Sequence, residues 1–198
     1  HGADISVIAG TKYIVGHSDV MMGMITTKDE YWQRIRQSAS ELGANSGPDD
    51  VYLALRGLRT IGVRMRQHHE NGLKLASWLE QRPEVDRVLH PGLPSNPHHK
   101  IWKRDFTGAC GLFGVVLKPY PEVALAAMLD GLELYGMGAS WGGFESLILL
   151  TNPAGTRTIA KELWENDGPT LRIHAGLEDV EDLIIDLEKG FERLNTTG

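Results

Sequence analysis

The chain has very little cysteine: Cys110 is the only one in 198 residues. That excludes an internal disulfide framework and suits a reducing, cytoplasmic setting. Cys110 opens the apolar run Cys110-Gly-Leu-Phe-Gly-Val-Val-Leu117, where a small buried residue is expected rather than a nucleophile. Positive charge is not in surplus either. Lys and Arg number 20 against 26 Asp and Glu, a formal net charge of -6, so no basic stripe invites nucleic acid. The densest arginine group, Arg56, Arg59, Arg64 and Arg66, spreads over more than one face of a helix and reads as solvated or subunit-facing. No apolar run reaches the roughly 18–20 residues a bilayer span needs. The pairs His68-His69 and His98-His99 lack metal-ligand spacing, since adjacent side chains on a helix diverge, so no metal is expected and all four histidines read as surface residues. There is no internal repeat and no low-complexity segment. His1-Gly-Ala-Asp4 carries no basic segment of a leader, and a start so close to a strand suggests a chain cut from something longer.

What is present is ordinary globular composition, 41% hydrophobic and 23% charged. The pattern predicts strands at 5–9 and 21–26, then a helix capped by Thr27 and stopped near Gly43. Ser46-Gly-Pro48-Asp49 opens a long amphipathic helix reaching Glu80, with Gly57, Gly62 and Gly72 predicting a bend or a join. Beyond it, short strands at 85–89, 111–117, 132–135, 147–151 and 170–174 alternate with helices at 97–104, 122–129, 156–163 and 178–194. The last helix is the clearest, with acids in its first turn and Lys189 and Arg193 near its end. The region from about 81 onward therefore reads as a small α+β or α/β domain, and the first 50 residues as the tail of a larger sheet domain.

Three segments carry candidate chemistry. Lys12 follows the first strand through Gly10-Thr11, placing an amine at a strand's carboxyl end, where ligands bind in open α/β sheets. Such a lysine can condense with a carbonyl cofactor or can simply be solvated. Gly16-His17-Ser18-Asp19 reads as structural, because triads assemble from separated positions. Ser140-Trp-Gly-Gly-Phe-Glu-Ser146 is a glycine-rich turn with a tryptophan that can pack or wall a pocket. Arg172, within Leu171-Arg-Ile-His174, either snorkels from an edge strand or grips a carboxylate with its planar fork.

In order, Thr11-Lys12-Tyr13, Arg56-Gly-Leu-Arg-Thr60, Ser140-Trp-Gly-Gly-Phe-Glu-Ser146 and Leu171-Arg-Ile-His-Ala-Gly-Leu-Glu-Asp179 resemble the cystathionine lyase and synthase family of pyridoxal-phosphate-dependent Cys/Met metabolism enzymes. Trp141 after Ser140, and Trp102-Lys-Arg-Asp-Phe-Thr-Gly108, are similar to the bacterial β-lyases; γ-type members usually carry Leu at the position of Trp141. The resemblance implies an α/β, fold-type I pyridoxal-phosphate-dependent transferase-like architecture. Residues 1–55 would end the large cofactor domain, and 56–198 would be a linking helix plus the small C-terminal domain. It implies that Lys12 holds pyridoxal 5'-phosphate and moves the substrate's α-proton, and that Thr11 binds the cofactor phosphate. Ser140, Trp141 and Arg172 would bind the amino-acid substrate. The implied reaction is β-elimination of L-cystathionine to homocysteine, pyruvate and ammonia, by a cytoplasmic tetramer built from dimers. Many relatives have Ser three residues before the lysine, where this chain has Ala9. The family's lysine also lies mid-way along a chain twice this long, so the partner half would be needed and these residues alone would be inactive. A broader cysteine-S-conjugate or γ-type lyase is the alternative within the chemistry, and a non-catalytic structural or oligomerisation fragment the alternative outside it.

Overall fold

The computed structural model describes residues 2–164 and 168–197. Its contacts divide the chain into two compact units, His1–Gly62 and Val63–Gly198.

In the first unit, strands β1 (Ile5–Ala9) and β2 (Gly23–Thr27) pair antiparallel, with Ile5 opposite Thr27 and Ala9 opposite Gly23. Thr27 is thus the last strand residue rather than a helix cap; its hydroxyl donates to the Lys28 carbonyl, and helix α1 (Asp29–Glu41) starts after Lys28 with no side-chain cap. Gly43, at φ 66°, ends it by turning the backbone left-handed. The core here is small: Val15, Val20 and Ala54, with Met22 and Leu53 against them. Helix α2 (Pro48–Leu79) begins in this unit at Pro48, as the sequence predicts, and the unit boundary falls within it. It is one unbroken helix of 32 residues rather than two joined ones, and two of its glycines serve close approach. A Cβ on Gly57 would lie 2.3 Å from the Val15 carbonyl oxygen, and one on Gly72 would lie 3.0 Å from that of Cys110.

The second unit is a five-stranded mixed sheet in the order β3 (Val85–Leu89), β4 (Leu112–Leu117), β7 (Thr170–His174), β6 (Leu147–Thr151), β5 (Gly136–Met137). All neighbours pair antiparallel except β5 with β6. Its helices are α3 (His99–Asp105), α4 (Glu122–Asp130), the single-turn α5 (Pro153–Thr156) and α6 (Val180–Thr196). Register and the two-residue period of strands fix which side chains share a face. Phe113, Ile173 and Ile148 stand side by side facing the core, where Leu75 and Leu79 of α2, Met128 of α4 and Leu187 and Phe191 of α6 are all buried. The opposite face of β7 carries Arg172 and His174.

Two predicted elements differ. Residues 132–135 form no strand: the carboxylate of Asp186 on α6 accepts the Glu133 and Leu134 amide hydrogens at 2.8–3.1 Å, taking the donors a neighbouring strand would have used. Residues 156–163 form no continuous helix. Asn152 accepts the Gly155 N–H and starts a turn early, Ala160 adopts φ 57°, and only a 3-10 turn at Lys161–Leu163 follows. Ile159 and Leu163 lie exposed there, so no packed apolar face supports a longer helix.

Candidate active site

In the first unit, Lys12 lies on a turn three residues past β1. The turn is rigidly bonded: Lys12 N–H donates to the Ala9 carbonyl at 3.1 Å, and the Lys12 carbonyl accepts from Gly16 N–H at 2.8 Å. Thr11 ties it to the segment before β2. Its amide donates to the Met22 carbonyl at 3.1 Å, and its hydroxyl oxygen accepts from Met22 N–H at 2.8 Å. The hydroxyl's single proton goes back to the Met22 carbonyl at a longer 3.3 Å. A half-buried primary amine therefore stands on a braced turn beside a hydroxyl whose weakest bond is the one it would redirect to a phosphate. That donor set fits an aldehyde cofactor bearing a phosphate. Arg56 and Arg59 remain exposed in this unit, bordering with His17, Asp19, Leu53 and Thr60 a cleft of about 320 Å³.

In the second unit, Arg172 and Trp141 come together. The Arg172 guanidinium carbon is 5.6 Å from the Trp141 ring centroid, and its Nη2 donates to the Gly138 carbonyl at 3.4 Å. β7 is the middle strand of its sheet, which rules out an edge arginine reaching around a sheet border for water. Among the described residues no carboxylate lies within ion-pair distance of this half-buried guanidinium. Its remaining donors suit an anionic ligand. Ser140, also half-buried, precedes Trp141 in the chain.

No local pattern marks what holds this loop. Glu178 reads as a first-turn acid of the last helix, but that helix starts later, capped by Asp179. The Glu178 carboxylate instead accepts from the Ser146 amide at 2.6 Å and its hydroxyl at 2.8 Å, and the Ser146 oxygen accepts from Gly176 N–H at 2.8 Å. His68 is fully buried rather than on the surface, because α2 turns it inward; its Nδ1 donates to the Ala175 carbonyl at 2.9 Å. Asn71, one turn on, donates to the Gly176 and Glu178 carbonyls. Arg64 is buried too, whereas the arginines there are expected to be solvated or subunit-facing. His69 diverges from His68 as adjacent helical side chains must and accepts from Ala109 N–H at 3.1 Å. Burial lowers the pKa of His68 and pushes that of His174 down to about 4. Burial likewise raises the Tyr135 hydroxyl well above its ordinary value.

The first unit thus holds a lysine-bearing turn, and the second an arginine–tryptophan pair on a mixed sheet. The sequence profile of the family described as Cys/Met metabolism PLP-dependent enzyme, PLP being pyridoxal phosphate, matches residues 1–192, and the chain belongs to that family. It is 50% identical over 195 residues to a putative cystathionine beta-lyase of Rhizobium johnstonii, covering 96% of this chain and 48% of that protein. With a cystathionine beta-lyase of Escherichia coli it shares 48% identity over 98% of this chain and 49% of that protein. Its fold matches the crystal structure of a cystathionine gamma synthase from Xanthomonas oryzae in complex with cystathionine, with a TM-score of 0.88 and 37% identity over 100% of this chain and 52% of that one. The chain thus spans about half the length of the curated relatives it matches.

Proposed function

We propose that this chain is the C-terminal half of a pyridoxal-phosphate-dependent carbon–sulfur lyase that cleaves L-cystathionine into homocysteine, pyruvate and ammonia. The observation that carries the reading is Arg172, a central-strand guanidinium stacked near Trp141 with no acid partner among the described residues. In this reading Arg172 grips the substrate's α-carboxylate with two parallel N–H bonds, Ser140 adds a hydroxyl, and Trp141 walls the thioether chain. Lys12 would hold the cofactor, and its amine would take the substrate's α-proton. Thr11 turns its hydroxyl proton to the cofactor phosphate while still accepting from Met22 N–H. The cofactor, when bound, supplies a conjugated ring that holds the electron pair left at the α-carbon. The net reaction would break the Cβ–S bond, put a proton on the leaving sulfur and consume one water to give homocysteine, pyruvate and ammonia.

Residues 1–55 would complete a large cofactor domain together with the other half of the protein, and 56–198 would form the linking helix and small domain. The assembly would be a cytoplasmic tetramer; among the described residues no helix is long and apolar enough to cross a membrane. The fold match to a gamma synthase keeps a γ-type lyase as the second reading. Full-length protein with pyridoxal phosphate, reduced with borohydride and digested, should give a labelled Lys12 peptide. It should also release pyruvate from cystathionine faster than from other thioether or cystine substrates. No label on Lys12 ends the enzyme reading, and preferred γ-cleavage ends the β-lyase assignment.

A further inference from the structure

The loop 138–146 carries Ser140 and Trp141 yet has no regular secondary structure, and Gly142 within it sits at φ 80°. A loop so built needs anchors. Two of its contacts, the Gly138 carbonyl and the Trp141 ring, are made by Arg172 itself, whose donors would turn to a substrate. The Glu178 bonds to Ser146 hold the far end, five residues from Trp141. An anchor next to Trp141 is His174: its Nε2 accepts from Gly142 N–H at 3.0 Å and lies 3.4 Å from the Gly143 carbonyl oxygen. His174 is two residues from Arg172 on β7, so both rise from one sheet face, about 7 Å apart along the strand. It is only 1% exposed. Behind it stands His68, ring centroids 5.1 Å apart and tilted by 42°, which is itself fixed to the Ala175 carbonyl. Helix α2, through His68, thus buttresses the imidazole that braces the tryptophan turn.

We propose that His174, backed by His68, is a positioning residue for substrate recognition: it fixes the Trp141–Gly143 turn against Arg172 so that wall and clamp form one surface. This rests on the proposed reading of Arg172 and Trp141 as substrate-binding.

The test uses the full-length enzyme and cystathionine. His174→Ala should raise KM about tenfold with kcat kept within about threefold, whereas His174→Gln, whose amide oxygen can accept from Gly142 N–H, should keep KM within about threefold of wild type. Combined with Trp141→Ala, the alanine change should add less than about twofold, because both act through one wall. Arg172→Ala is the control. If it leaves KM unchanged, the clamp reading itself fails; if it raises KM while His174→Ala does not, only the role of His174 is overturned. An effect fully additive with Trp141→Ala, or no rescue by Gln, also overturns it. Should the alanine variant not fold, amide exchange on the wild type decides. Residues 140–146 must exchange at least about tenfold slower than an unrestrained loop, and fast exchange sinks the proposal.

Discussion

The two units of this chain treat their apolar residues in opposite ways. In the second, 23 buried residues among those described form one core spanning the sheet and three helices, with Val115, Leu117, Met128, Ile148, Ile173, Leu183 and Leu187 wholly inaccessible. In the first, every residue of β1 is exposed, Val7 by 74%, and α1 buries none of its residues. A lone two-stranded ribbon is marginal in water. The second unit has what a domain needs to stand; the first has a braced lysine turn on a minimal core. Apolar pattern and burial are thus separate facts: Ile5, Val7, Ile8 and Ile25 make a good strand pair without making a core.

The sharpest way to probe the contrast is Lys12→Ala in the full-length protein. It should abolish pyruvate formation, by more than about a thousandfold, while the circular dichroism spectrum stays unchanged; retained turnover would strip the first unit of its chemical role. Next, Phe191→Ala should destabilise the second unit by about 3–5 kcal/mol, a cavity in a core with no room to collapse, read as a lowered denaturation midpoint. Arg172→Ala in the complete enzyme should weaken substrate capture by roughly 2–5 kcal/mol, seen as a raised KM.

Acid should act on the second unit as well. His174 has its pKa held near 4 by burial, with Arg172, Glu145 and His68 as its charged or titratable neighbours, and His68 is lowered in the same direction with Arg64 and Glu178 nearby. The unfolded chain takes up these protons at an ordinary histidine pH of about 6.5 and the folded one does not. Stability is therefore fully present above that pH and falls as the solution is acidified towards 4, by up to about 3 kcal/mol for His174. Denaturant midpoints measured between those pH values should drop, and His174→Gln should flatten the curve. The smallest effect is expected for Val7→Ser in this chain alone, within about 0.5 kcal/mol, because the side chain is already in water. A larger loss in the full-length protein would show that another part of it covers β1.

Much of the fold is legible in the sequence because local rules agreed with tertiary demands. The α6 stripe of Leu183, Leu187, Phe191 and Leu194, the Pro48 start of α2 and the strands at 85–89, 147–151 and 170–174 all appear where periodicity and caps put them. Misreadings cluster where a distant side chain supplies the backbone bond. Asp186 takes the amides of 133 and 134, and Glu178 leaves its helix for Ser146. His68, one of an adjacent pair that pattern alone makes look like surface, is drawn inward by the Ala175 carbonyl.

Periodicity, caps and motifs are local properties of the chain, so most of the elements, the four motifs that mark the family and the residue types available for chemistry can be read without coordinates. Long-range packing alone sets Arg172 on a central strand near Trp141, with His174 and Glu178 bonding the loop. Those contacts join residues about 30 positions apart through sheet register and burial, and no local pattern encodes which strand will sit in the middle.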